Sequence, residues 1–509
     1  MRLHRLLNLF ITALLLTGLD CFAQAALTHT HIEQAIPEDQ LHIAAIMNLI
    51  KPESSIIALS VWDLADNRSV FQQHSNALMN PASIQKLLTA LVSAKQLGQS
   101  FQYRTQLLSE QRLNITNGKL KNDLYITFSG DPTLKQRHLI ALIEQLKQAG
   151  IHTVDGNIHL IGHHQAQLQA PGWVWDDLGI CYAAPVSSFI IDKNCVFARL
   201  SANGYNKKAS LKVMGKKPIY IENEAVFTPY QKNALPCDLQ LIRKDSNHYT
   251  LKGCYAGAKS LPLAIAINEP QGYAVNVIKA IFKQQKIALT GQVMVNATLP
   301  ISNNNLQPIA THLSEPLPTL IDEMLLKSDN LMAEALLRTS AEAFKQEPLN
   351  FKQTTQALVV ILQELGIELE IANIADGSGL SRYNLLSAEH VMAVLKVIAT
   401  HQDYQYLLQS LPIAGIKGTL KYKRYFNKPP LKYKVMAKTG SMLGVSNLAG
   451  QFEASNGKKY LFVLIENGLS PKIKRKQKAP FSAILLQNLM DMPLVHYPKV
   501  DLPKEPSIP

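Results

Sequence analysis

Residues 80–98 read NPASIQKLLTALVSAKQLG. Ile84, Leu87, Leu88, Leu91 and Val92 recur along one face at helical spacing. Asn80 can cap such a helix, Pro81 suits its first turn and Gly98 can end it. Ser83 then lies at the helix N-terminus with Lys86 one turn on, where residues i and i+3 share a face. The positive end of the helix favours negative charge that develops beside Ser83. This S-x-x-K pattern is followed by Ser328-Asp329-Asn330, an S-x-N, and by Lys438-Thr439-Gly440, a K-T-G. Each pattern alone is weak. A second S-x-x-K runs from Ser455 to Lys458, and S-x-N also begins at Ser201 and Ser302. Context separates them: Ser455 sits in an Asn-Gly turn where nothing aims Lys458 at it, and K-T-G occurs once, at the end of a strand-like run.

Working outward, residues 55–62 read as a strand, 63–69 as a turn and 70–72 as the start of a return strand. From 99 to 304 the texture changes to short strands and turns with a few helices, such as 139–148. The polar run 302–305 marks a boundary. Helices return at 318–344, in two segments that meet at 327–330, and at 354–365 and 388–399. Strands at 434–438, 446–454 and 459–466 follow, the last two joined by Ser455-Asn456-Gly457. A helix at 481–490 precedes a Pro-rich tail at 496–509. Sheet, helices and sheet thus bracket a long middle segment. The expected organisation is one α/β domain, 26–98 with 305–495, interrupted by an insertion at 99–304.

Composition agrees with that plan. Of 509 residues, 47% are hydrophobic and 17% charged, enough apolar content for buried cores in about three domains. A disordered chain, a collagen, a multi-pass membrane protein and a small disulfide scaffold are excluded. Lys and Arg number 51 against 38 Asp and Glu, a diffuse excess of +13. Its densest run, KIKRKQK at 472–478, reads as a solvated loop; the alternative is attraction to an anionic polymer or membrane surface. No nucleic-acid-binding signature accompanies it. Residues 1–25 carry Arg2 and Arg5, an apolar run at 6–16 and Ala23-Gln24-Ala25, the pattern of a signal peptide cleaved near Ala25. Export with at most peripheral membrane contact is expected. Cys21 follows Asp20, where a lipidation signal needs a small residue.

Cleavage leaves Cys181, Cys195, Cys237 and Cys254. An even number in an exported chain points to disulfides, the alternative being four buried thiols. Cys237 and Cys254 are equidistant from a turn at 244–247 and face each other in a hairpin centred there. Cys181 with Cys195 follows by elimination.

The three motifs, in this order, are the set shared by β-lactamases and penicillin-binding proteins. A serine hydroxyl needs a base, and Lys86 can serve Ser83 only as a neutral amine. Burial and a nearby cation, Lys438, would lower its pKa. Ser328 can relay a proton to the leaving group. Asn330 can hold Lys86 and a substrate amide. Thr439 suits a substrate carboxylate. The N–H groups of Ser83 and Ser441 would form an oxyanion hole.

Beyond the motifs, FSGDPTL at 128–134, PGWVW at 171–175, DGSGLSR at 376–382 and LPIAGIKGTL at 411–420 extend the likeness. The chain resembles the class C low-molecular-mass penicillin-binding proteins, the D-alanyl-D-alanine carboxypeptidase/endopeptidase family, over nearly its whole mature length. That resemblance implies an α/β transpeptidase/β-lactamase-like fold. Its antiparallel sheet is flanked by helices and interrupted by a mixed insertion of two smaller domains, one nested in the other. It implies an enzyme acylated on Ser83 by peptidoglycan stem peptides and by β-lactam antibiotics; the signal peptide places it in the periplasm, and no cofactor or metal is expected. Some family members have counterparts of the four cysteines. Substrate contacts would come from Thr439, Gly440, Ser441, Arg382 and Leu443. Family members that bind diaminopimelate often carry an acidic residue before PGW and a polar one after K-T-G. Here 160–163 lacks the acid and Leu443 stands in the second place. Lys417 stands where an Asp is common.

Other features have plainer readings. Asp376-Gly377-Ser378-Gly379 is a turn. Trp173 and Trp175 are packing residues rather than a sugar platform. The pairs His163-His164 and His29/His31 lack the acidic companions of a metal site. Two rival functions remain: a β-lactamase, for which no complete E-x-x-L-N pattern exists, and a catalytically dead peptidoglycan-binding protein, which would be expected to show a damaged motif.

Overall fold

The Asp63 carboxylate accepts hydrogen bonds from the N–H groups of Ala65, at 2.9 Å, and Asp66, at 3.1 Å, and so turns strand Ile56–Asp63 (β1) back into Arg68–Gln73 (β2). The strands Val435–Met442 (β3), Val445–Glu453 (β4) and Lys459–Asn467 (β5) complete one antiparallel sheet in the order β2-β1-β5-β4-β3. Register runs unbroken between β1 and β5, from Ile56 opposite Asn467 to Asp63 opposite Tyr460. The computed structural model describes residues 38–163, 167–229, 238–299 and 306–491. The expected signal peptide, Cys21, Cys237, the histidines at 29, 31 and 164 and the Pro-rich tail lie outside them.

Sequence alternation explains why both faces of this sheet are covered. Ala449, Leu461, Val463 and Ile465 point into a helical core made by Lys86–Leu97 (α1), Leu317–Lys327 (α2), Asn330–Lys345 (α3), Phe351–Gln363 (α4) and Ala388–Thr400 (α5). Leu448, Phe452, Phe462 and Leu464 are buried on the opposite face, where helix Phe481–Asp491 (α6) packs on β4. The chain therefore has the expected transpeptidase-like α/β layer, with its two ends joined through β1 and β5. Among the described residues, no helix is long and apolar enough to cross a membrane.

Among the described residues, the strands between α1 and α2 form four further sheets, none of which shares a strand with the first. One of them runs past the boundary expected at 304: Leu306–Leu313 pairs antiparallel with Arg104–Glu110. The predicted hairpin forms from Leu239–Arg243 and His248–Tyr255, but pairs Leu239 with Gly253, one residue from the symmetric register. Cys181 and Cys195 are disulfide-bonded as expected. Cys254 is also disulfide-bonded, and its expected partner lies outside the described residues.

Candidate active site

The predicted helix start at Ser83 is tighter than an α-helix. Residues Ala82–Gln85 form a 3-10 turn, and α1 begins at Lys86. Asn80 acts from one residue further out, its Oδ1 accepting from the Ala82 N–H at 3.0 Å, and Ala82 adopts a left-handed φ of 45°. Buried Asn447 on β4 donates to the carbonyls of Asn80, at 2.9 Å, and Pro81, at 2.8 Å. Two glycines then press on the same turn. A Cβ on Gly440 would lie 2.8 Å from the Pro81 oxygen, and one on Gly379 2.0 Å from the Ala82 oxygen. Only glycine lets both β3 and the 376–382 loop approach so closely.

Lys86 is fully buried. Its Nζ lies 3.0 Å from Ser83 Oγ, 2.7 Å from Asn330 Oδ1 and 2.6 Å from the Ser378 carbonyl. Burial lowers its pKa to about 8, although Asp376, Glu334 and Asp329 pull it upward. Of the two expected causes, burial is the one that acts. Lys438 is itself buried and held well below the usual lysine range, by burial first and then by Lys86 and Lys423. Its Nζ donates to Ser328 Oγ and to the Thr439 carbonyl, each at 2.8 Å.

Ser328 ends α2 in a left-handed conformation, with φ 56°. Asp329 caps α3 by accepting from the Met332 N–H at 3.0 Å. Asn330 Nδ2 donates to the Tyr182 carbonyl at 2.8 Å. The motif is also gripped from behind. Lys193 Nζ lies 2.6 Å from Asp329 Oδ2 and 2.8 Å from Glu323 Oε1. Lys193 sits in a run of three left-handed residues, Asp192, Lys193 and Asn194. That run costs about 1–2 kcal/mol per residue. Asn194 offsets it by donating to the carbonyls of Pro185 and Phe189 and accepting from the Ile191 N–H. The Cys181–Cys195 disulfide links the segments that carry Tyr182 and Lys193.

The DGSG turn holds more than itself. Buried Asp376 accepts from the N–H groups of Gly379, at 2.8 Å, and Ser381, at 2.7 Å, and from the Trp173 indole at 2.8 Å. Buried Glu334 accepts from the N–H groups of Gly377, at 3.0 Å, and Ser378, at 2.8 Å. Gln85 donates to the Asp376 carbonyl. These bonds aim the Ser378 carbonyl at Lys86. Sequence reasoning missed Glu334, Asp376, Asn447 and Ser378 as positioning groups. The only signal was a buried acid on α3 and a Gly-rich turn.

A cleft of about 440 Å³ is lined by Ser83, Ser328, Asn330, Arg382, Ser441 and Leu443, together with Asp177 and Tyr182. Ser441 lies on the sheet's edge strand, β3. Arg382 donates to the Leu443 carbonyl at 3.4 Å, while the Leu443 side chain is 73% exposed. Asp177, which follows the PGW segment, lines the cleft, and Tyr182 OH donates to it. Thr439 Oγ1 lies 2.9 Å from Thr419 Oγ1, a partner the sequence did not single out. Lys417 donates to the Gln409 carbonyl, away from the cleft lining. Trp173 packs as expected, but Trp175 does not: it is 78% exposed.

Known proteins match this arrangement. The profile of the D-Ala-D-Ala carboxypeptidase 3 (S13) family matches residues 42–488. D-alanyl-D-alanine carboxypeptidase DacB of Haemophilus influenzae is 35% identical over 449 residues, covering 86% of this chain and 92% of the relative. The D-alanyl-D-alanine carboxypeptidase of an Actinomadura species is 25% identical over 447 residues, covering 84% and 80%. The crystal structure of penicillin binding protein 4 from H. influenzae superposes with a TM-score of 0.81 at 33% identity, covering 88% of this chain and 99% of that one. The same protein complexed with a β-lactam gives a TM-score of 0.77 at 32% identity, with the same coverage.

Proposed function

Because the chain belongs to the D-Ala-D-Ala carboxypeptidase 3 (S13) family, we propose that the cluster around Ser83 carries out its peptidase chemistry on peptidoglycan stem peptides and is acylated there by β-lactams. The protein is a serine-type D-Ala-D-Ala carboxypeptidase; the roles that follow are the reading its geometry supports. The observation that carries them is the environment of Lys86. A neutral amine has two protons and one lone pair. Asn330 Oδ1 and the Ser378 carbonyl accept the two protons, which turns the lone pair towards Ser83 Oγ.

Lys86 takes the hydroxyl proton as Ser83 Oγ attacks the carbonyl carbon of the penultimate D-Ala. The N–H groups of Ser83 and Ser441 receive the developing oxyanion. Ser328, held by Lys438, relays the proton that Lys86 has taken to the departing amine of the terminal D-Ala, which leaves Lys86 neutral again. Thr439, braced by Thr419, binds the terminal carboxylate. Water then attacks the acyl-enzyme, with Lys86 again the base, and Ser83 is released. Asp177 and Arg382 present opposite charges across the cleft lining, which suits the zwitterionic side-chain end of diaminopimelate. The insertion expected at 99–304 supplies Asp177 and Tyr182, and so shapes substrate choice without entering the chemistry.

Intact-mass spectrometry after incubation with benzylpenicillin tests the assignment. One adduct on the wild type, absent from Ser83→Ala and slow to disappear, is the expected result. An adduct that persists on Ser83→Ala removes Ser83 from its role, and rapid turnover to penicilloic acid replaces the peptidase reading by a β-lactamase one.

A further inference from the structure

Trp173 and Trp175 stand two residues apart and meet opposite fates. Trp173 is 8% exposed and bonded to Asp376, whereas Trp175 leaves 78% of its surface in water. An exposed indole offers a flat apolar face on which a ligand ring can lie. The ring is also held: the Arg243 guanidinium lies 5.4 Å from its centroid. That is within cation–π range, and most of the ring stays open.

Beside this ring lies a groove of about 850 Å³. One wall is the turn from Trp175 to Ile180, and the other is the strand Leu239–Arg243. The walls stand close together. The Gly179 carbonyl accepts from the Ala266 N–H at 2.9 Å, and a Cβ on Gly179 would already touch Leu241 at 3.4 Å and Arg243 at 3.5 Å. Asp176, Asp238, Gln240 and Asn268 line the groove. Gln240 Nε2 donates to Asp238 Oδ2 at 2.7 Å, and Arg243 donates to Asn268 Oδ1 at 3.4 Å, so planar acceptors and donors are fixed relative to one another. Charge is mixed, with Asp176, Asp238 and Asp245 set against Arg243 and Lys244. That balance disfavours a polyanion. It suits a neutral ligand rich in hydroxyl and amide groups with an apolar ring face, which is the chemistry of an N-acetylated sugar.

The groove also has a direction. Trp175 and Asp176 line it, while the next residue, Asp177, lines the catalytic cleft. Successive Cα atoms are ~3.8 Å apart, so the two sites adjoin. We propose that this groove is a glycan subsite: a pyranose ring of the peptidoglycan backbone lies on Trp175, and its acetamide and hydroxyl groups bond Asp238, Gln240 and Asn268. The sugar so held delivers the attached stem peptide to the cleft at Asp177. The inference rests on the peptidoglycan reading above.

The test uses the full-length protein. Ser83→Ala is titrated with a peptide-free tetrasaccharide of N-acetylglucosamine, followed by tryptophan fluorescence and calorimetry, with and without Trp175→Ala. D-Alanine release by the wild type and by Trp175→Ala is measured on intact sacculi and on a free stem peptide. The expected result is saccharide binding at about millimolar concentration that Trp175→Ala abolishes and Trp175→Phe largely keeps. Release from sacculi falls about tenfold in Trp175→Ala, while release from the free peptide is unchanged. No saccharide binding, or equal rates on sacculi for both proteins, overturns the subsite. An equal fall on both substrates also overturns it, because the groove would then read peptide. A wild type that releases D-alanine from neither substrate sinks the peptidase reading instead, and the titration then decides the groove by itself.

Discussion

Lys86 and Lys438 are wholly buried among helices and strands, each bonded to named partners. Trp175, Tyr182 and Lys193, which come from the long segment between the first two motifs, stand partly in water. The buried group is set by packing: two glycines, one asparagine and two carboxylates leave the Ser83 turn a single position. The outer group is set by a few long-range bonds, from Lys193 to Asp329, from Asn330 to the Tyr182 carbonyl and from Cys181 to Cys195. Chemistry that must be held to tenths of an ångström sits where packing is dense, and substrate choice sits where side chains are free to meet a ligand. Changes in the first region should therefore strike the rate of acylation, and changes in the second its selectivity or its pH dependence.

The contrast is sharpest at Gly440. A valine there places Cβ against the Pro81 oxygen, and acylation by benzylpenicillin should fall more than about a hundredfold while the protein stays folded. A rate near wild type would show that the turn yields, and would break the distinction drawn here. Next in size is the pH response of the buried base. With Lys86 at about 8, its neutral form is scarce below that pH, so the acylation rate should climb about tenfold per unit up to pH 7 and level off above 8. A profile flat from pH 6 to 9 would remove Lys86 as the base.

Lys193 tests whether the outer region reaches the inner one. Lys193→Met leaves the Asp329 carboxylate unpaired beside the S-D-N motif. Acylation should slow by about tenfold, and the rising limb should move to higher pH, because an uncompensated negative charge favours protonated Lys86. Lys193→Arg should restore both. Loss of thermal stability alone, with rate and pH profile unchanged, would make Lys193 a strut.

The smallest effect concerns Glu334. Burial and the neighbouring Asp376 raise its pKa from 4.5 to about 7. Ionisation is therefore harder in the folded protein than in the unfolded one. Below 4.5 both states are protonated and nothing is lost; stability then falls as the pH rises from 4.5 through about 7. The melting temperature of Glu334→Gln should gain a few degrees on the wild type across that window. A constant difference would place the cost elsewhere.

Much of the active cluster was legible beforehand because its residues are short-range pairs or rigid motifs. The Ser83–Lys86 spacing is a property of one helical turn, and Ser328 and Asn330 fall at a helix-to-helix junction that apolar periodicity exposes. The Gly440 contact was not legible, since it depends on which turn β3 approaches. Nor were the carboxylates that oppose the low Lys86 pKa, because Asp376, Glu334 and Asp329 act on it only through the packing of separate elements. Asp177 enters the cleft lining through the turn that follows the PGW segment, which no motif marks. Trp173 and Trp175 share composition and context; what separates them is the bond of the first to Asp376 and its packing against Phe351 and Leu331.

The sequence by itself determined the reaction: a serine, a lysine one turn away, two more motifs in order and an α/β layer able to hold them. Those features are local, and local stereochemistry is written residue by residue. The tertiary structure alone decided what surrounds them: that Glu334 and Asp376 aim a carbonyl at Lys86, that Lys193 braces the S-D-N motif from outside, and that Trp175 opens onto a groove beside the cleft. Each of these joins residues far apart in the chain. Their meeting depends on the packing of whole elements, which no window of sequence contains.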